Sequence, residues 1–312
     1  MDNDRNIYQI LETNTPEAAF REVQMILKMI FPAFDVALIR AAFETSIRLF
    51  KGSYPGYQAC NTQYHDLSHT LGVFLAMTRL VHGATLDDKS FSERAIALSL
   101  VSALFHDAGY IQDIHDREGT GAKHTRTHVL RSMDFLARHG PDHGLSDEEV
   151  EAGRVMISYT DPSVDISTIS HPSLKVECLG KMLAVADFFA QMADRMYLEK
   201  LLYLYHEFEE GEVPGYENEL DLLHKTIDFY RFTEARISTL LYTTDHLLCL
   251  HFEAKWHICE NLYKVATEKQ EAYLHKILKS SDPLKRLKRG GIVKKIRRKN
   301  NHRKPGFPGN PA

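Results

Sequence analysis

Apolar residues recur at helical spacing through most of the chain. Phe20, Val23 and Ile26 show the repeat of about 3.6 residues that is typical of an amphipathic helix. Helix-start signals precede several such runs, among them Thr15 followed by proline and Ser92 before a long apolar stretch. We find no run of alternating β-branched residues and no internal repeat. The pattern therefore predicts an all-α fold.

The apolar pattern places most of the helices. After the segment that begins at Pro16, helices are predicted at 36–50, 64–82, 92–105, 129–139, 146–159, 216–240 and 245–278, and residues 174–208 are predicted to form one or two long helices. We expect Gly83 to cap the 64–82 helix at its C-terminus. Residues 92–105 are apolar on most faces, which predicts a central buried helix.

Domain organisation follows from where the helical pattern stops. We find no convincing linker before Ser280, so residues 1–280 are predicted to form a single all-helical domain. Residues 281–312 are basic and end in a Pro/Gly-rich stretch, and we predict that this tail is flexible.

The charge is strongly asymmetric. The chain has a net charge of −4, but residues 285–304 contain eleven Lys and Arg and no Asp or Glu, which leaves 27 basic and 42 acidic residues elsewhere. Such a tail could contact an acidic partner, a nucleic acid or an anionic membrane surface, or it could simply be a solvated charge run. No base-reading module accompanies the tail. The oligomeric state stays open.

Three features bear on the cellular compartment. The longest nearly apolar run, residues 95–105, is too short to cross a bilayer. The N-terminus is acidic and has no signal-peptide core. The four cysteines form no C-x-x-C pair, which is typical of reduced thiols. We therefore predict a cytoplasmic protein.

Candidate metal-binding residues lie in or beside three apolar segments. His65 and His69 stand four residues apart at the start of the first segment, which on a helix would place both on one face. His106 and Asp107 follow the second segment, and Asp187 lies inside the third. Imidazole and carboxylate groups that converge from three helices predict a divalent metal site.

The ligand types limit which metal would bind. His69, His106, Asp107 and Asp187 suit Mn²⁺, Fe²⁺, Zn²⁺ or Mg²⁺, and no sulfur is among them. The carboxylate of Asp107 could bridge to a second ion, so we expect one or two metal ions. His65 would then stand beside the ligands as a proton donor.

These motifs resemble a known superfamily. Residues 64–70 (YHDLSHT), 105–110 (FHDAGY) and 186–187 (AD) are similar to the H…HD…D signature of HD-domain metal-dependent phosphohydrolases. The first motif also resembles the YHNxxHA motif of class I cyclic-nucleotide phosphodiesterases. The resemblance covers roughly residues 60–210 and implies an HD-domain-like helical bundle, here with a C-terminal helical extension.

The resemblance also implies residue roles. His69, His106, Asp107 and Asp187 would hold the first metal, with Asp107 bridging, and His65 would protonate the leaving O3′. His124 and His128 lie where some dinuclear members carry histidines for a second metal. We take His124 as the better candidate, because it sits where a loop meets a helix. The corresponding purine-binding residue cannot be assigned, so substrate-binding residues stay open.

The resulting hypothesis is a metal-dependent phosphohydrolase acting on a nucleotide phosphoester. A 3′,5′-cyclic nucleotide is the leading substrate, because metal-activated water and a histidine general acid both have a role in its hydrolysis. The first alternative is a 5′-nucleotidase or another nucleotide phosphohydrolase of the same superfamily. The second is a non-catalytic HD protein that binds a nucleotide or a partner.

Overall fold

The computed structural model describes residues 2–13, 15–294 and 296, with the backbone alone for residues 2–6. The described part is all-α, as predicted, and contains no β-strand. The helices are α1 (Asp2–Leu11), α2 (Pro16–Ile30), α3 (Ala37–Phe50), α4 (Leu67–Leu86), α5 (Glu93–Phe105), α6 (His128–His139), α7 (Asp147–Ser158), α8 (Leu174–Met192), α9 (Tyr197–Glu210), α10 (Glu219–Leu240), α11 (Thr244–Trp256), α12 (Leu262–Leu278) and α13 (Pro283–Arg286).

Local capping signals fix several helix starts. The hydroxyl of Thr15 accepts a hydrogen bond from the backbone N–H of Ala18 and caps α2. Ser92 caps α5 in the same way. Ser146 and Glu149 form a reciprocal capping box at the start of α7. Each cap satisfies backbone N–H groups that a helix start leaves unpaired, so these starts could be predicted from short sequence windows.

Helices α4, α5 and α8 form the centre of the molecule. The prediction of a buried central helix at 92–105 is confirmed, since every residue of α5 from Ile96 to Phe105 is buried. Helix α4 packs against α2, α5, α8 and α11. The side chains of α4, α5 and α8 are apolar on most faces, so neighbouring helices cover them on several sides. The three motifs that the sequence analysis predicts to bind a metal lie on or next to these helices.

Gly83 does not cap α4, and that prediction was wrong. The helix continues for another turn to Leu86. A Cβ at Gly83 would lie 1.9 Å from the backbone oxygen of Leu247 on α11. Glycine is therefore required here because two helices approach closely, which is a tertiary cause that the local sequence does not show.

A buried arginine ties α1 to the centre. The guanidinium of Arg79 donates hydrogen bonds to the carbonyl oxygens of Ile10 and Leu11 at the end of α1 and to the hydroxyl of Tyr263. It also lies 5.5–5.7 Å from the ring centroids of Tyr263, Phe252 and Trp256. A cation at this position satisfies carbonyl groups that a helix end leaves unpaired and interacts with the faces of the rings.

Two buried histidines next to Arg79, His82 and His251, should make the stability of the fold sensitive to acid. Nδ1 of His82 lies 2.9 Å from Nδ1 of His251. Burial and then the charge of Lys255 lower the pKa of His82 to about 4, and burial, Arg79, His82 and Lys255 lower the pKa of His251. The unfolded chain therefore binds more protons than the folded chain below pH ~6.5.

We expect stability to fall as the pH drops from about 6.5 towards 4, by up to about 1.4 kcal/mol per pH unit for each histidine. Denaturant titrations at a series of pH values measure the free energy of unfolding. The double variant His82→Leu/His251→Leu removes both imidazoles and serves as the comparison, because carboxylates elsewhere also titrate in this range. Equal slopes for the two proteins would contradict the assignment.

The first part of the basic tail packs on the helical body. Leu287, Ile292 and Val293 are buried. The backbone N–H of Arg289 donates to Oε1 of the buried Glu199 at 2.8 Å. Residues 297–312 lie outside the described residues, so the flexibility of that part and the boundary at residue 280 stay predictions.

Candidate metal centre

The three central helices each deliver ligand side chains to one point. Asp66 caps α4 and accepts a hydrogen bond from the backbone N–H of His69, which places His69 in the first turn. His106 follows the last residue of α5, and Asp107 comes next. Asp187 lies on α8. The fold therefore brings together the four residues that the sequence predicted as ligands of the first metal.

The ligand atoms stand at distances that suit a common ion. Nε2 of His69 and Nε2 of His106 are 3.3 Å apart, and Oδ2 of Asp107 lies 3.3 Å from each. Oδ1 of Asp187 lies 3.1 Å from Nε2 of His69 and 3.7 Å from Nε2 of His106. Ligands about 2.1 Å from an octahedral ion stand about 3 Å from their neighbours, close to these separations.

The hydrogen bonds around the cluster also favour a cation. Nδ1 of His106 lies 2.8 Å from the carbonyl oxygen of Ala103, so this nitrogen carries the proton and Nε2 presents a lone pair. Oδ2 of Asp107 is buried without a hydrogen-bond partner among the described residues. A buried carboxylate oxygen is costly when unpaired. Together these atoms form a donor set of nitrogen and oxygen that fits a divalent metal; His69, His106 and Asp107 form the tightest group.

The pKa shifts of His69 and Asp107 also favour a positive charge in the cluster. Burial disfavours the charged form of His69, but the nearby carboxylates of Asp107 and Asp187 raise its pKa to about 10. Burial would raise the pKa of Asp107, yet His106 and His69 hold it well below its usual range. The two carboxylates thus stay ionised and favour a positive charge between them, which a proton or a metal ion can supply.

Gln191 orients one of the ligands. Its side-chain amide donates to Oδ1 of Asp187 at 2.8 Å, and its carbonyl oxygen accepts a hydrogen bond from the hydroxyl of Tyr64 at 3.0 Å. Gln191 lies one helical turn after Asp187 on α8. It therefore supports the carboxylate, while its carbonyl oxygen is held by Tyr64.

His65 lies beside the cluster, outside the helix that we predicted for it. It stands in the bend before α4, and its ring centroid is 6.0 Å from that of His69. Nδ1 of His65 is 2.7 Å from Oε2 of Glu207 on α9. The other oxygen of Glu207 accepts the backbone N–H groups of Gln63 and Tyr64 at 2.6 and 2.7 Å. Glu207 thus fixes both the bend and the ring, and Nε2 of His65 lies 3.5 Å from the hydroxyl of Tyr110.

Sequence reasoning missed Glu207. It lies 142 positions after His65, and no motif surrounds it. In the sequence it resembles its neighbours Glu209 and Glu210 at the polar end of a helix. Glu207 differs from these neighbours only in that the packing of α9 brings it to residues 63–65, in the bend before α4.

The sequence analysis took His124 as the better second-metal candidate, but the structure places His128 near Asp107. Nε2 of His124 lies 3.4 Å from Oδ2 of Asp116. Nε2 of His128 lies 3.8 Å from Oδ1 of Asp107, and its Nδ1 is 2.7 Å from the carbonyl oxygen of Thr125. The fold therefore brings His128, the first residue of α6, to the cluster instead of His124. A second-metal role for His124 stays a prediction.

Tyr110 joins the two outer imidazoles. Its ring stacks on His65 at a centroid distance of 4.3 Å and on His128 at 4.4 Å. Tyr110 is almost fully buried. The three stacked rings hold each other in place, so both imidazoles are oriented before any ligand arrives.

A cavity of about 520 Å³ opens onto the cluster. His65, Asp107, His128 and Asp187 lie at its polar end. Aromatic residues form much of the remaining wall: Phe188, Phe208, Tyr216 and Phe229. The rings of Phe208 and Tyr216 are stacked, with centroids 5.2 Å apart. This volume and this mixture of polar and apolar walls are typical of a pocket for a small organic ligand.

No family model matches the chain, and no curated protein or solved structure shows a significant match. The HD assignment therefore rests on the motifs and stays a prediction. Within the described residues, none of the helices combines the length and apolar character needed to traverse a bilayer.

Proposed function

We propose that the chain is a metal-dependent phosphohydrolase that cleaves a nucleotide phosphoester, with a 3′,5′-cyclic nucleotide as the leading substrate. The observation that carries the proposal is the meeting of His69, His106, Asp107 and Asp187 next to a large cavity, which Asp107 and Asp187 line. Residues from three separate helices converge there, and the buried Oδ2 of Asp107 lies 3.3 Å from Nε2 of both His69 and His106.

These four residues would hold a divalent ion, which when bound would polarise the phosphoryl group and activate a water molecule. Asp107 offers Oδ2 to this ion, while its Oδ1 faces His128. A second ion between Asp107 and His128 would use the bridging capacity of this carboxylate. The side chains around the cluster exclude bulk water, since His106 and Asp107 are buried.

His65 supplies the proton in this proposal. The carboxylate of Glu207 accepts the Nδ1 hydrogen and orients the ring, and Nε2 would donate a proton to the leaving oxygen of the substrate. The stacked ring of Tyr110 keeps the imidazole in this orientation. Protonation matters most for an alkoxide leaving group such as the O3′ of a ribose, which supports the choice of a cyclic nucleotide.

The cavity walls support a nucleotide as the occupant. A base has two flat faces, and the aromatic side chains of Phe188, Phe208, Tyr216 and Phe229 offer surfaces on which it could stack. Lys225 lies 5.7 Å from the ring centroid of Tyr216 on the same wall and is ion-paired with Asp221 at 2.7 Å. A phosphate at the cluster and a base against this wall would place both ends of the substrate.

Purified protein saturated with Mn²⁺ is expected to hydrolyse cyclic AMP or cyclic GMP at a rate that vanishes with a chelator and returns with the metal. Product analysis by chromatography should show the 5′-monophosphate. A rate on 5′-AMP without a rate on either cyclic nucleotide would replace the proposal with a nucleotidase. Tight nucleotide binding without turnover under any divalent ion would favour the non-catalytic alternative.

A further inference from the structure

The first part of the basic tail lies against the helical body with its apolar side chains turned inward. Leu287, Ile292 and Val293 are buried and belong to the hydrophobic core. The hydroxyl of Tyr273 on α12 donates a hydrogen bond to the carbonyl oxygen of Arg286 at 2.7 Å. This segment therefore follows a defined path beside α12.

Arg289 anchors the same segment. Its guanidinium donates to the carbonyl oxygen of Arg195 at 3.1 Å and to the side-chain oxygen of Gln270 at 3.2 Å. It also lies 4.6 Å from the ring centroid of Tyr273, as a cation over an aromatic face. Together with the bond from its backbone N–H to Glu199, these contacts fix the segment to α9 and α12.

The other cations of this region face solvent. Residues 272–294 contain seven Lys and Arg but a single acidic residue, Asp282, which lies 2.8 Å from the ammonium of Lys285. On the adjoining helices, Glu199 is buried and Glu271 lies 3.8 Å from His275. The exposed cations, which we call the basic surface, are Lys276, Lys279, Lys285, Arg286, Lys288 and Lys294.

We propose that the basic surface binds the phosphate backbone of a nucleic acid double helix without reading its bases. Outside residues 285–304 the chain has 27 basic and 42 acidic residues, so positive charge is confined to one region of an acidic protein. A linear polyanion can contact such a region and avoid the acidic remainder. In the sequence, five further Lys and Arg follow at 297–304 and extend the run of positive charge.

An anionic membrane fits this surface less well. A flat bilayer would bring negative lipid head groups close to the acidic body as well as to the basic surface. Segments that bind membranes also insert apolar side chains or a lipid chain. Here the apolar side chains of Leu287, Ile292 and Val293 are packed inside the protein and are not available for insertion.

A single strand fits less well than a double helix. Proteins that bind single strands stack the bases on aromatic side chains. Tyr273 is the only Phe, Trp or Tyr between residues 272 and 304, and Arg289 lies over its ring. The surface therefore offers contacts to phosphates alone, which favours the higher phosphate density of a duplex.

Fluorescence anisotropy with a labelled DNA duplex of about 20 base pairs tests the proposal on the full chain. EDTA is present throughout, so neither metal nor turnover affects the result and the proposed hydrolysis is not involved. We expect a Kd of about 1–10 µM at 50 mM NaCl. The logarithm of the binding constant should fall with the logarithm of the salt concentration with a slope of about −3 to −5, as about four to six phosphate contacts require. The single strand should bind several-fold more weakly.

The variant Lys285→Gln/Arg286→Gln/Lys288→Gln removes three cations of the basic surface. Its affinity for the duplex should fall at least about tenfold at 50 mM NaCl, and the salt slope should become shallower by about 2 to 3. Its melting temperature should match that of the unmodified protein, because these three side chains are exposed.

The matched control Lys28→Gln/Lys51→Gln/Lys175→Gln changes the net charge by the same amount at exposed lysines on other parts of the body. It should leave the affinity within about threefold, because contacts to phosphates act over short distances in salt.

Four results would overturn the proposal. The first is no binding of the duplex at 50 mM NaCl, and the second is an equal loss of affinity in the two triple variants. The third is a single strand that binds as tightly as the duplex, which would assign the surface to single strands. The fourth is binding to vesicles that contain about 30% phosphatidylserine without binding to the duplex, which would make the partner a membrane.

Discussion

Asp107→Asn is expected to lower hydrolysis at least about a thousandfold and to remove the tightly bound metal ion. Asp107 Oδ2 lies 3.3 Å from the Nε2 atoms of both His69 and His106 and has no hydrogen-bond partner among the described residues. Asparagine keeps the shape but loses the negative charge that a divalent ion requires. Loss of a metal that contributes several kcal/mol to transition-state stabilisation corresponds to three or more powers of ten in rate.

Metal content by elemental analysis and steady-state rates should fall together in this variant. Asp113→Asn is the matched control, because Asp113 is an exposed aspartate on the following loop. It should retain both metal and rate. A soluble Asp107→Asn protein that keeps its metal and most of its activity would remove Asp107 from the site and leave the proposed chemistry without its central ligand.

The helix starts could be predicted because their causes are local. Thr15, Ser92 and Ser146 each cap a helix through a bond to a residue three positions later. The apolar repeat that follows each cap is a property of a few turns, so a short window contains the whole signal. The buried nature of α5 was also predictable, because residues 96–105 are apolar or small on every face.

The errors in the fold have long-range causes. Gly83 was taken as a helix end, but it marks the contact of α4 with the backbone of α11, more than 160 positions later. Residues 245–278 were predicted as helical throughout, whereas the structure breaks the segment into α11 and α12. His257 adopts a left-handed conformation at that break, with φ of 56°. Glycine and asparagine favour this conformation more than histidine does, so the sequence carried no clear signal.

The candidate site was predicted to the extent that its residues lie in motifs. His69, His106, Asp107 and Asp187 were found because each follows or occupies an apolar helix, and the structure brings them together. The order of preference between His124 and His128 could not be derived, since it depends on where α6 begins relative to Asp107. Glu207 reaches His65 only through the packing of α9, which no spacing rule describes.

His65→Ala is expected to reduce kcat on a cyclic nucleotide by a factor of about 10² to 10⁴ and to leave metal content unchanged. His65 is not in the tight ligand group of His69, His106 and Asp107, so the ion should stay in place. We expect kcat to fall because an alkoxide leaving group departs slowly without a proton donor. This combination of a low rate with full metal occupancy distinguishes His65 from Asp107.

A substrate with a good leaving group tests the role of His65 more sharply. Nitrophenolate departs without protonation, so His65→Ala should cost much less on bis(p-nitrophenyl) phosphate than on cyclic AMP. Glu207→Gln should show the same substrate dependence with a smaller loss of rate, because the amide replaces the carboxylate 2.7 Å from Nδ1 and holds the ring of His65 less firmly. Equal losses on both substrates would show that His65 binds the phosphate or shapes the cavity and that the proton comes from elsewhere.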